Sequence, residues 1–375
     1  MSKAGVKVTQ IFPSYKDSCK LTEFAGYLLP LYFKGIIDEV LAVRNSVGVF
    51  DVSHMGRIEL QGDDASNLLE NILTISVTKG EPGRAMYGFM CNERGGVVDD
   101  LITYKHTDKK YTLVVNCSNK EKDLAWMRKS SGGMNVEIKD ITDESILIAV
   151  QGPSSSKMLD EFGVGDIKRF RFNIREYYGN EMMIARTGYT GEDGYELLLR
   201  NVTHSNPDKG IRLWEHLSES AAIFSGLNCG LGARDTLRIE AGLPLHGNDI
   251  SEDISPVEAG LERFVDFQKT KFIGKDALEE IRERKHRTMV ALVLKENIIP
   301  RSHCRVFMEG EEVGIVTSGT YSPVLKKGIA MALVNSELKK GDLCEVEVRG
   351  ARWKAEITGF PFYEVEKYGY RRRSD

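Results

Sequence analysis

RIELQGDDASNLLENIL, residues 57–73, is the stretch whose reading decides the fold. Residues 57–62 alternate polar and apolar as a half-buried strand does. Residues 63–73 then place Leu68, Leu69, Ile72 and Leu73 on one helical face, behind acidic residues suited to a helix start. Strand-like runs follow at 84–91, 97–105 and 109–116, then a helix over 119–130 and a strand near 134–139. The order β-α-β-β-β-α-β is a ferredoxin-like plan with one additional strand. The plan then resumes: SILIAVQG (145–152) reads as a strand and PSSSKMLDEF (153–162) as a helix. Strands near 168–174, 181–187 and 195–200 precede a helix at 208–224. LQG–helix thus recurs as VQG–helix, 90 residues from Gly62 to Gly152. Duplication and chance recurrence of common elements both fit this pattern; a true repeat predicts two similar α+β halves with a ligand pocket at their seam.

Beyond 287 the pattern changes to short strands, TMVALVLK, CRVFM, EVGIVTSG, KGIAMALV, CEVEVRG and RWKAEITG, with Gly, Pro or charged turns between them. This predicts an antiparallel β-barrel or sandwich, reached through the helical DALEEIRERKHR at 276–287. The expected division of this α+β chain is 1–50 as an N-terminal segment packing with the second half, 51–141 as the first half, 142–286 as the second, and 287–375 as the barrel.

A chain of 375 residues has room for two or three domains. Its 51 Lys and Arg against 55 Asp and Glu give a charge of −4, which argues against a nucleic-acid backbone as the main partner. The run Arg371, Arg372 and Arg373 reads as a solvated tail. No apolar run approaches the length of a membrane span and no secretory leader is legible, so a soluble, cytoplasmic protein is expected. The six cysteines are scattered singly, without a zinc knuckle or C-x-x-C, and the seven histidines include no H-x-x-x-H pair, so no metal is expected.

Three stretches carry candidate chemistry. In GGVVDDLITY, Asp99 and Asp100 are adjacent on an apolar strand and point to opposite faces, so one is aimed inward. Desolvated there, it could hold a substrate amine or move a proton; a bulge with both carboxylates wet is the alternative. In TGYTGEDGYE (187–196), hairpin chemistry accounts for Gly188, Gly191 and Gly194, but less well for Glu196, which starts an apolar run. A carboxylate accepting from an amide-like edge beside a stacking Tyr suits a pterin ring. In GLGARDTLRIEAGL (230–243), Arg234 opposes the dipole of the helix it enters, which suggests a grip on a ligand carboxylate; a surface ion-pair ladder through Arg238 is the alternative. His54 in FDVSHMG reads as a satisfied structural residue and is not nominated.

Together VGVFDVSHMG, GGVVDDL, LIAVQGP, RTGYTGEDGYE, GLGARDTLRIEAGLPL and TSGTYSP resemble, in family order over about 20–362, the aminomethyltransferases (T-proteins) of the glycine cleavage system. The resemblance implies a three-domain cloverleaf of two ferredoxin-like halves and a C-terminal barrel or jelly roll. It implies transfer of the methylene of an aminomethyl group from the lipoyl arm of a partner H-protein to tetrahydrofolate, giving 5,10-methylenetetrahydrofolate and ammonia. It makes Asp100 the catalytic carboxylate, with Asp99 the lesser match. Glu196 falls at the pterin-binding acid, Tyr189 in the same loop, and Arg234 at the folate-contacting arginine, while Met55, Tyr87, Val114 and Asn116 fall where the family lines its folate cavity. Two positions depart from the family, His246 where Tyr is usual and Arg263 where many carry Trp. Lys120, Lys122, Arg128 and Lys129 on one helix are a candidate basic face for an acidic carrier. The alternatives are another folate-dependent enzyme of the superfamily or a non-catalytic folate-binding protein.

Overall fold

The computed structural model describes residues 5–335 and 338–372; Arg373 of the basic tail lies outside the described residues. The chain opens with a hairpin, β1 (Lys20–Phe24) and β2 (Tyr27–Tyr32), then α1 (Ile36–Asn45) and β3 (Gly48–Asp51). The first α+β array follows as β4 (Gly56–Gln61), α2 (Ala65–Ile72), β5 (Arg84–Cys91), β6 (Val97–Thr107), β7 (Lys110–Val115), α3 (Lys120–Ser130) and β8 (Glu137–Asp140). The second is β9 (Ser145–Gln151), α4 (Ser155–Met158), β10 (Phe172–Tyr177), β11 (Asn180–Ala185), β12 (Gly194–Arg200), α5 (Asp208–Ile223) and β13 (Leu227–Asn228).

The first sheet is ordered β5-β6-β7-β4-β8, the second β10-β11-β12-β9-β3-β13. Without β3, both place the second, third, fourth, first and fifth strands of their array in that order. β3 enters the second sheet between β9 and β13, antiparallel to one and parallel to the other. The two glycines of the recurrence sit at one structural corner. Gly62 (φ +148°) and Gly152 (φ +134°) each follow the first strand of their array, and their amides donate to Lys109 O and Asp193 O at 2.9 and 2.7 Å. A Cβ there would lie 2.1 Å from Asn135 O in one case and 2.3 Å from Ser46 O in the other, so only glycine fits.

The expected helices and strands form, with four shifts, one being that the helix expected over 276–287 ends at Glu283. Residues 153–162 make only a single turn, α4, and a 3₁₀ turn (Asp160–Phe162) that Gly163 ends at φ +64°. β8 starts at Glu137, after a turn at the Gly132–Gly133 pair, and β10 starts at Phe172, because Phe170 adopts φ +55°. α5 buries Leu213, Trp214, Leu217 and Ala221 on the second sheet, in one cluster with Val49, Ile148, Val150, Leu197 and Leu199.

Helices α6 (Leu231–Ala241) and α7 (Lys275–Glu283) precede β14 (Thr288–Leu294), β15 (Arg305–Met308), β16 (Glu311–Ser322), β17 (Lys327–Val334), β18 (Leu343–Val348) and β19 (Ala351–Thr358). These close into a six-stranded antiparallel barrel, β14-β17-β16-β15-β18-β19, filled by Val290, Leu292, Val316, Ala332 and Val346. Closure removes the sheet edges that a sandwich would expose. The chain folds as two compact units: one runs up to Ile72 and includes Ser76–Tyr87 and Leu101–Arg234; the other comprises Leu73–Ile75, Gly88–Asp100 and the chain from Asp235. No helix among the described residues is long and apolar enough to cross a membrane.

Candidate functional site

In the first unit, the 187–196 loop is held by groups far away in sequence. Gln151, the last residue of β9, donates through Nε2 to Thr187 O (3.1 Å) and accepts at Oε1 from Thr190 Oγ1 (2.9 Å). Gly188 and Gly194 are needed to admit that amide, since a Cβ at either would lie 1.9 and 2.5 Å from it. Only Gly191, at φ +79°, is a glycine of the conformational kind, so hairpin chemistry accounts for one of the three. Arg44 of α1 donates to Thr190 O and to Glu192 Oε1, both at 2.9 Å, in an ion pair with no exposed side-chain surface. Arg186 grips Asp193 with two bonds, 2.9 and 2.6 Å.

This frame presents Glu196 from β12, an interior strand between β9 and β11. Thr187 Oγ1 donates to Glu196 Oε2 at 2.5 Å, and Tyr104 Oη lies 3.4 Å from the same oxygen. Burial, then the Glu196 charge, hold the Tyr104 phenol well above its usual value, so it remains a donor. Oε1 of Glu196 is not enclosed and accepts no hydrogen bond from a described residue. Neither Thr187 nor Tyr104 was legible as a site residue, because their hydroxyls reach Glu196 only when β6, β11 and β12 are folded.

Arg234 stands in the first turn of α6. The start of that helix is met by Glu39 of α1, a fully buried carboxylate that accepts from Gly230 N (2.9 Å) and from the amides of Phe33, Lys34 and Gly35. Glu39 thereby meets the dipole of α6 and Arg234 is left for other work. Its guanidinium carbon lies 4.8 Å from the centre of the Tyr189 ring and its donors make no hydrogen bond to a described residue. Burial lowers its pKa from the usual arginine value, opposed by Glu196 and Tyr189. A hollow of about 10 Å³, the size of one water, lies beside Arg234 and Asp51. In the second unit, Arg238 is buried and bonds to Asp249 Oδ2 (2.6 Å), Ser318 Oγ (2.8 Å) and Asp235 Oδ1 (2.9 Å), so the surface ion-pair ladder does not form.

Tyr189, Glu196 and Arg234 are therefore brought together. Met55 and Val114 flank buried Arg57, which donates to Met55 O and pairs across the sheet with Val114. Tyr87 on β5 and Asn116 after β7 are half-buried. Asp100 belongs to the other unit and is half-buried on β6, whereas its neighbour Asp99 is fully buried. Two wet carboxylates on a bulge are thus not what forms. On α3, Lys120 is largely buried and bonded to Asp140 (2.6 Å), so the basic cluster is not one exposed face. A cavity of about 580 Å³ in the second unit, between Arg94, Glu258 and Arg287, is lined by none of the expected site residues.

The family model described as the GCVT N-terminal domain matches residues 14–269, and that of the glycine cleavage T-protein C-terminal barrel domain matches 287–364. The chain belongs to the glycine cleavage T-protein family. Among T-protein relatives, the aminomethyltransferase of Thermoanaerobacter pseudethanolicus is 43% identical over 96% of this chain and 98% of the relative. That of Bacillus subtilis is 41% identical over 96% and 99%. A crystal structure of glycine cleavage system aminomethyltransferase T from Bartonella henselae matches with a TM-score of 0.88, at 30% identity, covering 97% of this chain and 99% of that one. The activity is accordingly aminomethyl transfer in glycine cleavage, and the alternatives, another folate-dependent enzyme of the superfamily or a non-catalytic folate-binding protein, are not favoured. Of the two departures within this T-protein-family chain, His246 Nε2 bonds Val97 O at 2.9 Å and Arg263 lies over the Phe264 ring at 4.8 Å.

Proposed function

We propose that this enzyme moves the methylene of an aminomethyl group, carried on the lipoyl arm of an H-protein, onto tetrahydrofolate, releasing ammonia and the dihydrolipoyl arm. Glu196, Tyr189 and Arg234 hold the folate, with Met55, Tyr87, Val114 and Asn116 lining its cavity. One observation carries this reading: a carboxylate oriented through one oxygen and open at the other stands beside a guanidinium that is stacked on a tyrosine and has no hydrogen-bond partner among the described residues. That donor and acceptor set fits a folate, whose pterin offers amide-like N–H groups and whose tail ends in a carboxylate.

Tetrahydrofolate supplies the amine nucleophile. The protein's part is to position it and to handle protons. Asp100 is the carboxylate assigned to that work, orienting the folate amine and shuttling the proton as ammonia departs. Asp100→Asn is expected to lower kcat about 100-fold or more, within the range of lost general acid–base catalysis, while folate affinity stays within about 3-fold. Folate-stimulated ammonia release from aminomethylated H-protein is the measurement; unchanged turnover removes Asp100 from the mechanism. Folate binding by the unmodified chain with no stimulated release would return the reading as a non-catalytic folate-binding protein. The exposed cations Arg128 and Lys129 on α3 are the part of that helix available to an acidic carrier.

A further inference from the structure

His54 lies on the turn between β3 and β4, and both its neighbours are fixed. Ser53 N donates to Asp51 Oδ1 (2.9 Å), Ser53 Oγ bonds both N and O of Leu147 (3.0 and 3.2 Å), and the Arg57 guanidinium donates to Ser53 O (2.6 Å) and Met55 O. The ring is 2% exposed, with the rings of Phe24 and Tyr27 at 6.0 and 6.4 Å. Neither ring nitrogen has a hydrogen-bond partner among the described residues, and Nδ1 is fully enclosed. A structural histidine is normally satisfied, and leaving a buried polar atom unpaired costs about 1–3 kcal/mol. An apolar ring would pack against Phe24 and Tyr27 without that cost, so packing does not explain the imidazole.

The enclosed Nδ1 is better left as a bare lone pair than as an orphaned N–H, the rarer and costlier defect. The proton then sits on Nε2, the nitrogen that is not enclosed. We infer that the His54 Nε2–H is a binding group that donates to an acceptor oxygen, carboxylate or amide carbonyl, of the folate held by Arg234 and Glu196. Arg234 is the charge that acts most strongly on the imidazole, and two donor-only groups together select for an acceptor. Burial, then Arg234 and Arg57, lower the imidazole pKa to about 3, so His54 acts as a neutral donor and not as an acid.

The inference rests on the folate reading, and its test separates the two. Tetrahydrofolate binding and steady-state kinetics are measured on the full chain and on His54→Phe, His54→Gln and His54→Asn, each with its melting temperature. His54→Phe is expected to bind folate about 10-fold more weakly, raising KM with kcat unchanged and the melting temperature equal or higher. Glutamine carries its amide nitrogen near the Nε2 position and should restore affinity to within about 3-fold; asparagine reaches only the Nδ1 position and should not. Wild-type affinity in His54→Phe, equal rescue by both amides, or losses that track melting temperature would overturn the role of His54. Failure of the unmodified chain to bind tetrahydrofolate would overturn the folate reading itself.

Discussion

Glu196 shows how one carboxylate is divided between structure and ligand. Thr187 fixes Oε2 and leaves Oε1 for the substrate, so the group is oriented before anything binds. Glu196→Gln keeps the shape and removes the charge. It is expected to weaken folate binding by about 10- to 100-fold, the worth of a hydrogen bond to a charged group, with little change in melting temperature. Titration calorimetry decides it, and unchanged affinity would take Glu196 out of the folate site. At this scale the sequence was only partly legible. Glu196 stood out because hairpin chemistry left it unexplained, and Arg234 because it opposed a helix dipole. Tyr87, Val114 and Asn116 entered by resemblance alone. Tyr104, Gln151 and Arg44 gave no local signal, since their partners lie 92, 36 and 148 residues away.

Among the elements, the strand–glycine–helix corner at Gly62 and Gly152 explains why a glycine recurs at that place in both arrays. Each glycine turns the chain where a neighbouring backbone leaves no room for a side chain. Gly152→Ala combines a left-handed φ with a Cβ 2.3 Å from Ser46 O, and should cost about 2–4 kcal/mol. Gly179→Ala is the control, since at φ +77° its Cβ would meet nothing within 4 Å, and should cost about 1 kcal/mol. Urea titrations of both variants test this; equal losses would mean that the corner is not sterically closed. Element type was legible from periodicity for most of the chain beyond Gly56, but β1, β2, α1 and β3 were not read from it, nor were two strand starts and the length of α4, because features such as the positive φ at Phe170 are settled by what surrounds them.

Across the molecule, two histidines tie stability to pH. His54 and His106, the latter bonded to Thr112 at 2.9 Å, are lowered to about 3 and about 4, in both cases by burial first. Their unfolded value is about 6.5, so below it the unfolded chain takes up protons that the folded chain refuses. Their contribution is therefore complete above about pH 6.5 and is lost as pH falls toward 4 and then 3, by up to about 1.4 kcal/mol per pH unit for each. Denaturant melts between pH 7 and pH 4 should show this slope, and His54→Phe should flatten it; an unchanged slope would mean that His54 titrates alike in both states.

The sequence by itself determined the alternation of strands and helices, the repeated α+β plan, the change to short strands at 287, and the stretches that carry polar groups without a local reason. These follow from periodicity and turn chemistry, which act between near neighbours. Only the tertiary structure decided that β3 enters the second sheet, that Arg44 and Glu192 form a buried pair, that Arg238 is buried with Asp249, and that Nδ1 of His54 is enclosed without a partner among the described residues. Each depends on groups brought together from distant parts of the chain, where burial and hydrogen-bond supply, not local pattern, set the outcome.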